Sequence, residues 1–151
     1  MVEAIRQGDI PGVQLRCRQR LPLGLESAWS WLTDSDRLSR WLADDARVDL
    51  RPDGLLLLER VAEEGALLRE EGRSLEIAPP QRWVLAFQRL DAGWEVATRL
   101  TLDLTAKPDG CELSVFHEGF EHLPLSDCLT IWEAYRRRWR AALDRLGQAV
   151  S

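Results

Sequence analysis

The sequence predicts an α+β domain in which a curved antiparallel sheet closes around a long C-terminal helix. Several segments alternate apolar and polar residues, and short turns with Gly or Pro separate them, as in strands that pair with antiparallel neighbours. The last segment, 126–150, instead carries apolar residues three and four positions apart, which is typical of an amphipathic helix. At 1.5 Å per residue this helix is about 35 Å long, enough to cross one face of the sheet.

Composition restricts the class of protein to which the chain can belong. It has 151 residues, 45% of them apolar and 30% charged, which predicts one globular domain at 13–151 after an N-terminal tail at 1–12. A formal net charge of −5 argues against nucleic-acid binding, which requires an excess of Lys and Arg. Seven tryptophans need either a core or a pocket to bury them.

The N-terminal residues give no sign of export. Glu3, Arg6 and Asp9 interrupt this segment, so neither a signal peptide nor a membrane anchor is expected. The three cysteines are far apart and form no Cys-x-x-Cys pair, as expected of reduced, buried thiols. We therefore expect a cytoplasmic protein that does not insert into membranes.

The first third of the domain is predicted to be one strand followed by two short helices. Alternation over 13–17 predicts the strand and places the Arg16, Arg18 and Arg20 side chains in solvent. Residues 25–33 then carry apolar side chains at helical spacing. Asp34 or Ser35 can cap a second short helix.

The middle of the chain is predicted to be a meander of six strands. Alternation resumes around Val48 and Leu50, and the next reversal is at Pro52-Asp53-Gly54. The remaining strands are predicted at 55–61, 66–78, 82–90, 94–105 and 111–120. Reversals this short leave no room for the crossovers that parallel strands require.

Four segments of this pattern resemble a known superfamily. They are ESAW (26–29) through LSRW (38–41), LEIAPPQRW (75–83), LSVFHEGF (113–120) and residues 139–146. In order and spacing they resemble the START-like superfamily, also called SRPBCC, and within it the homologues of the activator of the heat-shock chaperone ATPase. The resemblance implies a helix-grip fold with an interior cavity between the sheet and the last helix, able to hold apolar or aromatic molecules. It implies no shared catalytic set, because fold does not fix function.

The predicted cavity residues come from strand parity and from the apolar stripe of the last helix. Alternation turns Trp83, Leu85 and Phe87 to one face, while helical spacing aligns the aromatic residues of 126–150. An alternative is that these side chains do nothing but pack. The apolar lining is predicted to be Trp41, Leu57, Phe87, Leu100, Val115, Trp132 and Trp139, with His117 and Tyr135 as polar contacts.

The two histidines do not have the spacing of a zinc site. His117 and His122 are five positions apart with Gly119 between them, whereas a helical site needs histidines four apart on one face. Alternation predicts that His117 points inward with Leu113 and Val115. Either a neighbouring hydroxyl or carbonyl satisfies it there, or it is a polar contact for a ligand.

The alternating pattern does not settle which way three charged residues of the 66–78 strand face. Counting back in twos from the apolar residues 75 and 77 turns Arg69, Glu71 and Arg73 toward the cavity, where three charges would be costly. A bulge at Gly72 would return them to solvent. The alternative is a charged pocket mouth that binds an acidic ligand.

The last helix is locally basic. The residues concerned are Arg136, Arg137, Arg138, Arg140 and Arg145. Surface pairs are possible because Glu133 lies four residues before Arg137 and Asp144 four after Arg140. A solvated face is the first interpretation, and a patch for an anion or an acidic partner is the alternative. At Arg138 the chain departs from the resembling family, which often has glycine before this tryptophan, so we expect different packing there.

These observations favour a non-catalytic protein, a monomer or a homodimer, that binds or carries a small hydrophobic or aromatic molecule. No nucleophile elbow, phosphate-binding glycine loop or dinucleotide motif is present, so no catalytic residue, metal or cofactor is predicted. Two alternatives remain open. One is a protein-interaction module that assists a chaperone or a stress response, and the other is a cyclase-like enzyme that uses scattered pocket residues such as His117 and Tyr135.

Overall fold

The computed structural model describes residues 12–62, 64–124 and 126–151. The predicted tail at 1–12 therefore lies outside the described residues except for Gly12. Within the described ranges the chain forms seven strands, three α-helices and one short 3₁₀ helix. In order these are β1 (Gln14–Leu21), α1 (Leu25–Thr33), α2 (Ser35–Leu38), β2 (Asp45–Val48), β3 (Leu55–Val61), β4 (Leu67–Ala78), β5 (Arg82–Arg89), β6 (Thr98–Lys107), β7 (Gly110–Glu118), the 3₁₀ helix (Phe120–His122) and α3 (Cys128–Val150).

The strands form one antiparallel sheet in the order β1-β7-β6-β5-β4-β3-β2. β2 to β7 follow one another as a meander, because each short turn joins neighbours. β1 pairs with β7 from Gln14 opposite Glu118 to Leu21 opposite Cys111. The predicted α+β architecture, a curved antiparallel sheet with two short helices after the first strand and a long C-terminal helix, is confirmed.

The core lies between the sheet and α3. Alternation sends one row of each strand inward, and in β7 that row is Cys111, Leu113, Val115 and His117, all fully buried. The buried face of α3 repeats at three and four residues, as its amphipathic pattern predicts, and includes Tyr135, Trp139, Ala142, Leu143 and Leu146. The inward direction predicted for His117 is thus confirmed.

Residues 90–97 differ from the predicted strand that was to begin at Trp94. β6 begins only at Thr98, which is the last residue to pair with β5, opposite Phe87. The Thr98 hydroxyl donates to the Phe87 carbonyl at 2.8 Å. Asp91 and Gly93 adopt positive φ angles of 59° and 75°, so the chain turns there instead of extending.

β4 contains the predicted bulge, but at a different position. The register against β5 shifts between Ser74 and Glu76, and not at Gly72. Arg69 and Arg73 are exposed and Glu71 is half-buried on the outer face, so of the two interpretations left open the one that keeps these charges out of the interior holds. Gly72 instead packs inward, where an added Cβ would lie 2.8 Å from Leu85 Cδ2.

α3 is fixed to the edge strand β1 by side chains along its length. The Trp132 indole N–H donates to the Gln14 carbonyl at 2.8 Å. About two turns further on, Arg140 donates to the Arg18 carbonyl at 3.1 Å and to the Gln19 side chain at 2.7 Å. No helix in the described part of the chain has the length and apolar character needed to cross a membrane.

Candidate ligand-binding cleft

A partly open cleft of about 830 Å³ lies beside α3. Residues 39–44, the ends of β3 and β5, the loop 90–97 and one side of α3 form its wall. The apolar part of the wall includes Leu42, Leu68, Trp94 and Ile131. The cleft is therefore a space at the end of the core, and its size is that of a small-molecule site.

The charged end of the cleft is formed by the side chains that continue the inward-facing rows of β3, β4 and β5 beyond the core. In β3 the row is Leu56, Leu58, Arg60, and in β5 the inward row likewise runs from apolar residues to Arg89. Between them on β4 the inward residue is Glu70, opposite Arg89 in the register. The rows of β3 and β5 thus change from apolar to charged side chains at the same edge of the core.

Glu70, Arg60, Tyr135 and Arg138 form what we call the Glu70 cluster. Glu70 is 1% exposed. Its carboxylate accepts hydrogen bonds from the Tyr135 hydroxyl and Arg138 Nη1, and Arg60 Nε lies 3.4 Å away. Burial alone would raise the pKa of Glu70, but the positive charges of Arg138 and Arg60 and the hydrogen bond from Tyr135 outweigh it and lower the pKa. Glu70 is therefore a buried carboxylate ion.

Arg138 joins this cluster to the wall of the cleft. Its side chain is 6% exposed, and its Nη2 donates to the Leu42 carbonyl at 3.3 Å. The guanidinium also lies over the rings of Tyr135 and Trp139, at 5.7 and 5.8 Å from their centroids. Arg138 Nε is buried and has no hydrogen-bond partner among the described residues. The arginine that was expected on a solvated helix face is thus a buried member of an ion pair.

Tyr135 is held as a neutral phenol. Burial, the nearby Glu70 charge and the hydrogen bond to it raise the pKa of Tyr135, with opposing contributions from the charges of Arg138 and Arg60. Its ring contacts Trp94, with centroids 5.8 Å apart. The hydroxyl is committed to Glu70, so the part of Tyr135 that faces the cleft is its aromatic ring.

Thr98, His117 and Trp139 form a second buried group, the His117 cluster. The single Thr98 proton is donated to the Phe87 carbonyl, so His117 Nε2–H donates to Thr98 Oγ1 at 2.7 Å. Nδ1 then accepts from the Trp139 indole at 3.1 Å. Burial and, to a smaller extent, the charge of Arg138 lower the pKa of His117 to about 3. His117 is therefore neutral, with both ring nitrogens satisfied inside the protein.

The predicted lining residues fall into three groups. The first group lies together in the fully buried core, where the ring of His117 contacts the rings of Phe87 and Trp139. Its members are Phe87, Leu100, Val115, His117 and Trp139. Trp41 and Tyr135 belong to the wall of the cleft, although little of either side chain is exposed. The third group, Leu57 and Trp132, does not lie on the cleft at all.

Leu57 was wrongly predicted to face inward. It is 40% exposed on the outer face of β3, while Leu56 and Leu58 are buried. Residues 55–58 are all leucine, so hydrophobicity carries no signal about which parity faces the core. Trp132 is half-buried and anchors α3 to β1 through the Gln14 carbonyl. The apolar stripe of α3 contains both this anchoring position and the cavity positions, so helical spacing alone does not distinguish them.

Sequence reasoning missed Arg60, Glu70 and Arg89. It named Arg138 only as part of the basic face of the last helix. Arg60 and Arg89 each stand two positions beyond an inward apolar residue, so strand parity was a usable signal. Arg138 stands three positions after Tyr135, within the apolar stripe of α3. The inward facing of Glu70 could have been predicted only if the bulge had been placed between Ser74 and Glu76. Trp94 had no signal, because the alternating pattern around it predicts a strand.

A long C-terminal helix held by a curved seven-stranded antiparallel sheet defines this chain as a helix-grip domain of the START-like superfamily. The family model described as Activator of Hsp90 ATPase homolog 1-like protein matches residues 23–151. The chain therefore belongs to this family, and the family resemblance drawn from the sequence is confirmed. No curated protein matches the chain.

Solved structures similar to this chain come from several organisms. The protein CV1439 from Chromobacterium violaceum is 25% identical, with 91% of this chain and 96% of that chain covered and a TM-score of 0.73. CalU16 from Micromonospora echinospora is also 25% identical, with 93% and 77% covered and a TM-score of 0.69. PFC0360w, an HSP90 activator from Plasmodium falciparum, is 22% identical, with 75% of each chain covered and a TM-score of 0.59, and supports the fold alone.

Proposed function

We propose that the chain binds a small molecule with an apolar or aromatic body in the cleft beside α3. The observation that carries this proposal is the cleft itself, a space of about 830 Å³ at the edge of the core. Sites for small molecules are usually concave spaces of roughly 300–1,000 Å³ with apolar walls and a few polar groups. Membership of the activator-homologue family is consistent with this role.

The apolar body would lie against Trp94, Leu68 and Ile131. Trp94 is half-buried and Leu68 is 7% exposed, so the surface they offer is shielded but reachable. The ring of Tyr135 extends this surface toward the Glu70 cluster. A flat aromatic ligand can gain both apolar burial and ring contacts at such a wall.

The test introduces a large side chain on α3 that occupies the cleft. Ala134 lines the cleft and is exposed, so Ala134→Trp places a large side chain in the proposed ligand space. Gln148→Trp adds the same side chain to the same helix outside the cleft. The fluorescent apolar probe N-phenyl-1-naphthylamine should bind the native protein saturably, and Ala134→Trp should weaken it at least about tenfold, a loss of about 1.4 kcal/mol.

The control decides between a site and an unspecific surface. Gln148→Trp should bind the probe as the native protein does, and both variants should unfold at similar temperatures. Absence of saturable binding, or equal weakening in the two variants, would remove the proposal.

A chaperone-associated role is the second candidate, favoured by the outer face of the sheet. Leu55, Leu57 and Leu75 are exposed there at 38%, 40% and 53%. Apolar side chains grouped on an exposed face are typical of protein-interaction surfaces. Binding of a purified Hsp90-type chaperone, measured by calorimetry without any small molecule, should be weakened by Leu57→Asp. Failure of the chaperone to bind would count against this role.

The cyclase-like alternative gains no support from the residues named for it. Both ring nitrogens of His117 are hydrogen-bonded within the core, and the Tyr135 hydroxyl is bonded to Glu70. General acid–base catalysis requires a group within reach of the substrate proton. Neither residue offers one to the cleft.

A further inference from the structure

The wall of the cleft is rich in arginine although the protein is acidic. Six arginines and three acidic residues line it, and the Glu70 carboxylate is bound to two of those arginines, which leaves a surplus of two positive charges, while the whole chain carries −5. The arginines are Arg40, Arg60, Arg89, Arg137, Arg138 and Arg145. Positive charge thus exceeds negative charge at this concave site, where a field from the walls attracts anions.

Among the described residues, two of these arginines pair with a carboxylate and the others do not. Arg60 and Arg138 share the carboxylate of Glu70. In the part of the chain that the structure describes, the remaining four form no ion pair with a carboxylate. Arg145 Nε donates to the Trp41 carbonyl at 3.1 Å, which fixes its guanidinium at the wall. Asp44, one of the three acids, uses its carboxylate to accept from the Val61 N–H at 2.8 Å.

Arg138 supplies an independent observation at the same place. Its side chain is more than nine-tenths buried, it lines the cleft, and its Nε has no partner among the described residues. A buried donor without an acceptor is costly. The guanidinium groups without an ion pair and the unsatisfied Arg138 Nε–H lie at the same wall of the cleft. A ligand with several hydrogen-bond acceptor atoms would satisfy both.

We propose that the cleft selects organic acids, in which a carboxylate is attached to an apolar or aromatic body. The carboxylate lies among Arg89, Arg137 and their neighbours, and the body lies against Trp94 and Tyr135. Guanidinium groups suit this ligand because their paired N–H donors match the two oxygens of a carboxylate. This inference rests on the proposed function, to which it adds the charge of the ligand.

The experiment compares two probes of similar shape, one charged and one neutral. 1-Naphthaleneacetate carries a carboxylate, and 1-naphthaleneacetamide is its neutral counterpart of similar shape. Calorimetric titration of the native protein at pH 7.5 should show the acetate binding at least about tenfold more tightly, since charged hydrogen bonds are roughly twice as strong as neutral ones. The preference should decrease as salt is added, because the cleft is partly open to solvent.

Variants test whether the arginines cause this preference. The double substitution Arg89→Gln and Arg137→Gln should bring the acetate down to the affinity of the acetamide. Arg73→Gln, on the exposed outer face of β4, removes one positive charge away from the cleft and should leave the preference intact. Circular dichroism checks the fold of each variant. If the double variant unfolds, Arg137→Gln alone decides, because Arg137 is exposed on α3.

The outcomes separate this inference from the proposed function. Saturable binding of N-phenyl-1-naphthylamine with equal affinities for the acetate and the acetamide would overturn the inference and leave the proposed function standing. A preference for the acetate that survives loss of the cleft arginines would also overturn it. If none of the three probes binds, the proposed function fails, and the inference fails with it.

Discussion

The Glu70 cluster and the His117 cluster lie under neighbouring turns of α3, yet one is ionic and the other neutral. Tyr135 and Arg138 reach the first, and Trp139 reaches the second. The Glu70 cluster adjoins the cleft through Arg138, whereas His117 is fully enclosed by aromatic rings. Enclosure favours the neutral form of a titratable group, while opposite charges a few ångströms away favour the ion. The difference shows that partners, and not depth alone, decide the protonation state here.

The largest effect is expected from breaking the ionic cluster. Glu70→Gln keeps the shape of the side chain but leaves Arg138 buried without a counter-charge. Removal of one partner of a buried ion pair costs about 3–5 kcal/mol. Urea denaturation should therefore show a free energy of unfolding lower by about that amount.

Two further variants sharpen this result. Glu71→Gln, the next residue on the outer face, should change the free energy of unfolding by less than about 0.5 kcal/mol. Replacement of both Glu70 and Arg138 by Met should recover part of the loss, because the buried Arg138 charge is then removed and Arg60, which loses its partner, is 23% exposed to water. Equal effects of Glu70→Gln and Glu71→Gln would contradict the ionic description of the cluster.

The neutral cluster should reveal itself through the pH dependence of stability. His117 has its pKa lowered to about 3, so between pH 6.5 and 3 the unfolded chain binds a proton at His117 that the folded protein does not. The stability it contributes is complete above pH 6.5 and is lost as the pH falls. The free energy of unfolding should drop by about 2 kcal/mol between pH 7.5 and 5.

A matched variant isolates this effect from other titrating groups. Gln at position 117 can accept from Trp139 and donate to Thr98 but binds no proton. The drop between pH 7.5 and 5 should be largely absent in His117→Gln. The same drop in both proteins would assign the pH dependence to another residue. Glu70, whose pKa is lowered, adds its own loss only at more acidic pH, as the pH falls through its folded pKa.

The smallest effect is expected at a surface ion pair on the same helix. Arg140 and Asp144 are 3.0 Å apart at i and i+4, with side chains 46% and 62% exposed. Exposed pairs of this spacing contribute about 0.3–0.5 kcal/mol because water and salt screen them. Asp144→Asn should lower the thermal midpoint by only a degree or two. A loss as large as that of Glu70→Gln would mean that burial does not distinguish the two pairs.

The sequence was sufficient for the order and type of the elements, because period-two and helical spacings persist over whole segments. The Asp34 cap of α2, with its carboxylate accepting from the Arg37 N–H at 3.2 Å, is an example that local chemistry predicts. The cleft depends on less visible features. A bulge beside Leu75 sets the facing of Glu70, and a run of identical leucines hides the parity of β3. Neither position can be found from periodicity alone.

The surface pairs of α3 illustrate the same limit at short range. Arg140 and Asp144 pair as their spacing predicts. Glu133, by contrast, pairs with Arg136 at 2.6 Å and not with the predicted Arg137. Both choices satisfy helical spacing, so only the rotamers decide. Because Glu133 pairs with Arg136, the Arg137 guanidinium is free of this glutamate and can contact a ligand in the cleft.

The pairing of β1 with β7 has a consequence for synthesis of the protein. Gln14 and its partner Glu118 are about a hundred residues apart, so β1 has no strand beside it until nearly the whole domain has been translated. At roughly 5–20 residues per second that interval is on the order of 5–20 s. The exposed arginines at 16, 18 and 20 give the waiting strand a charged face, which opposes pairing with other nascent chains. The seven-stranded sheet can therefore be completed only after β7 has been made.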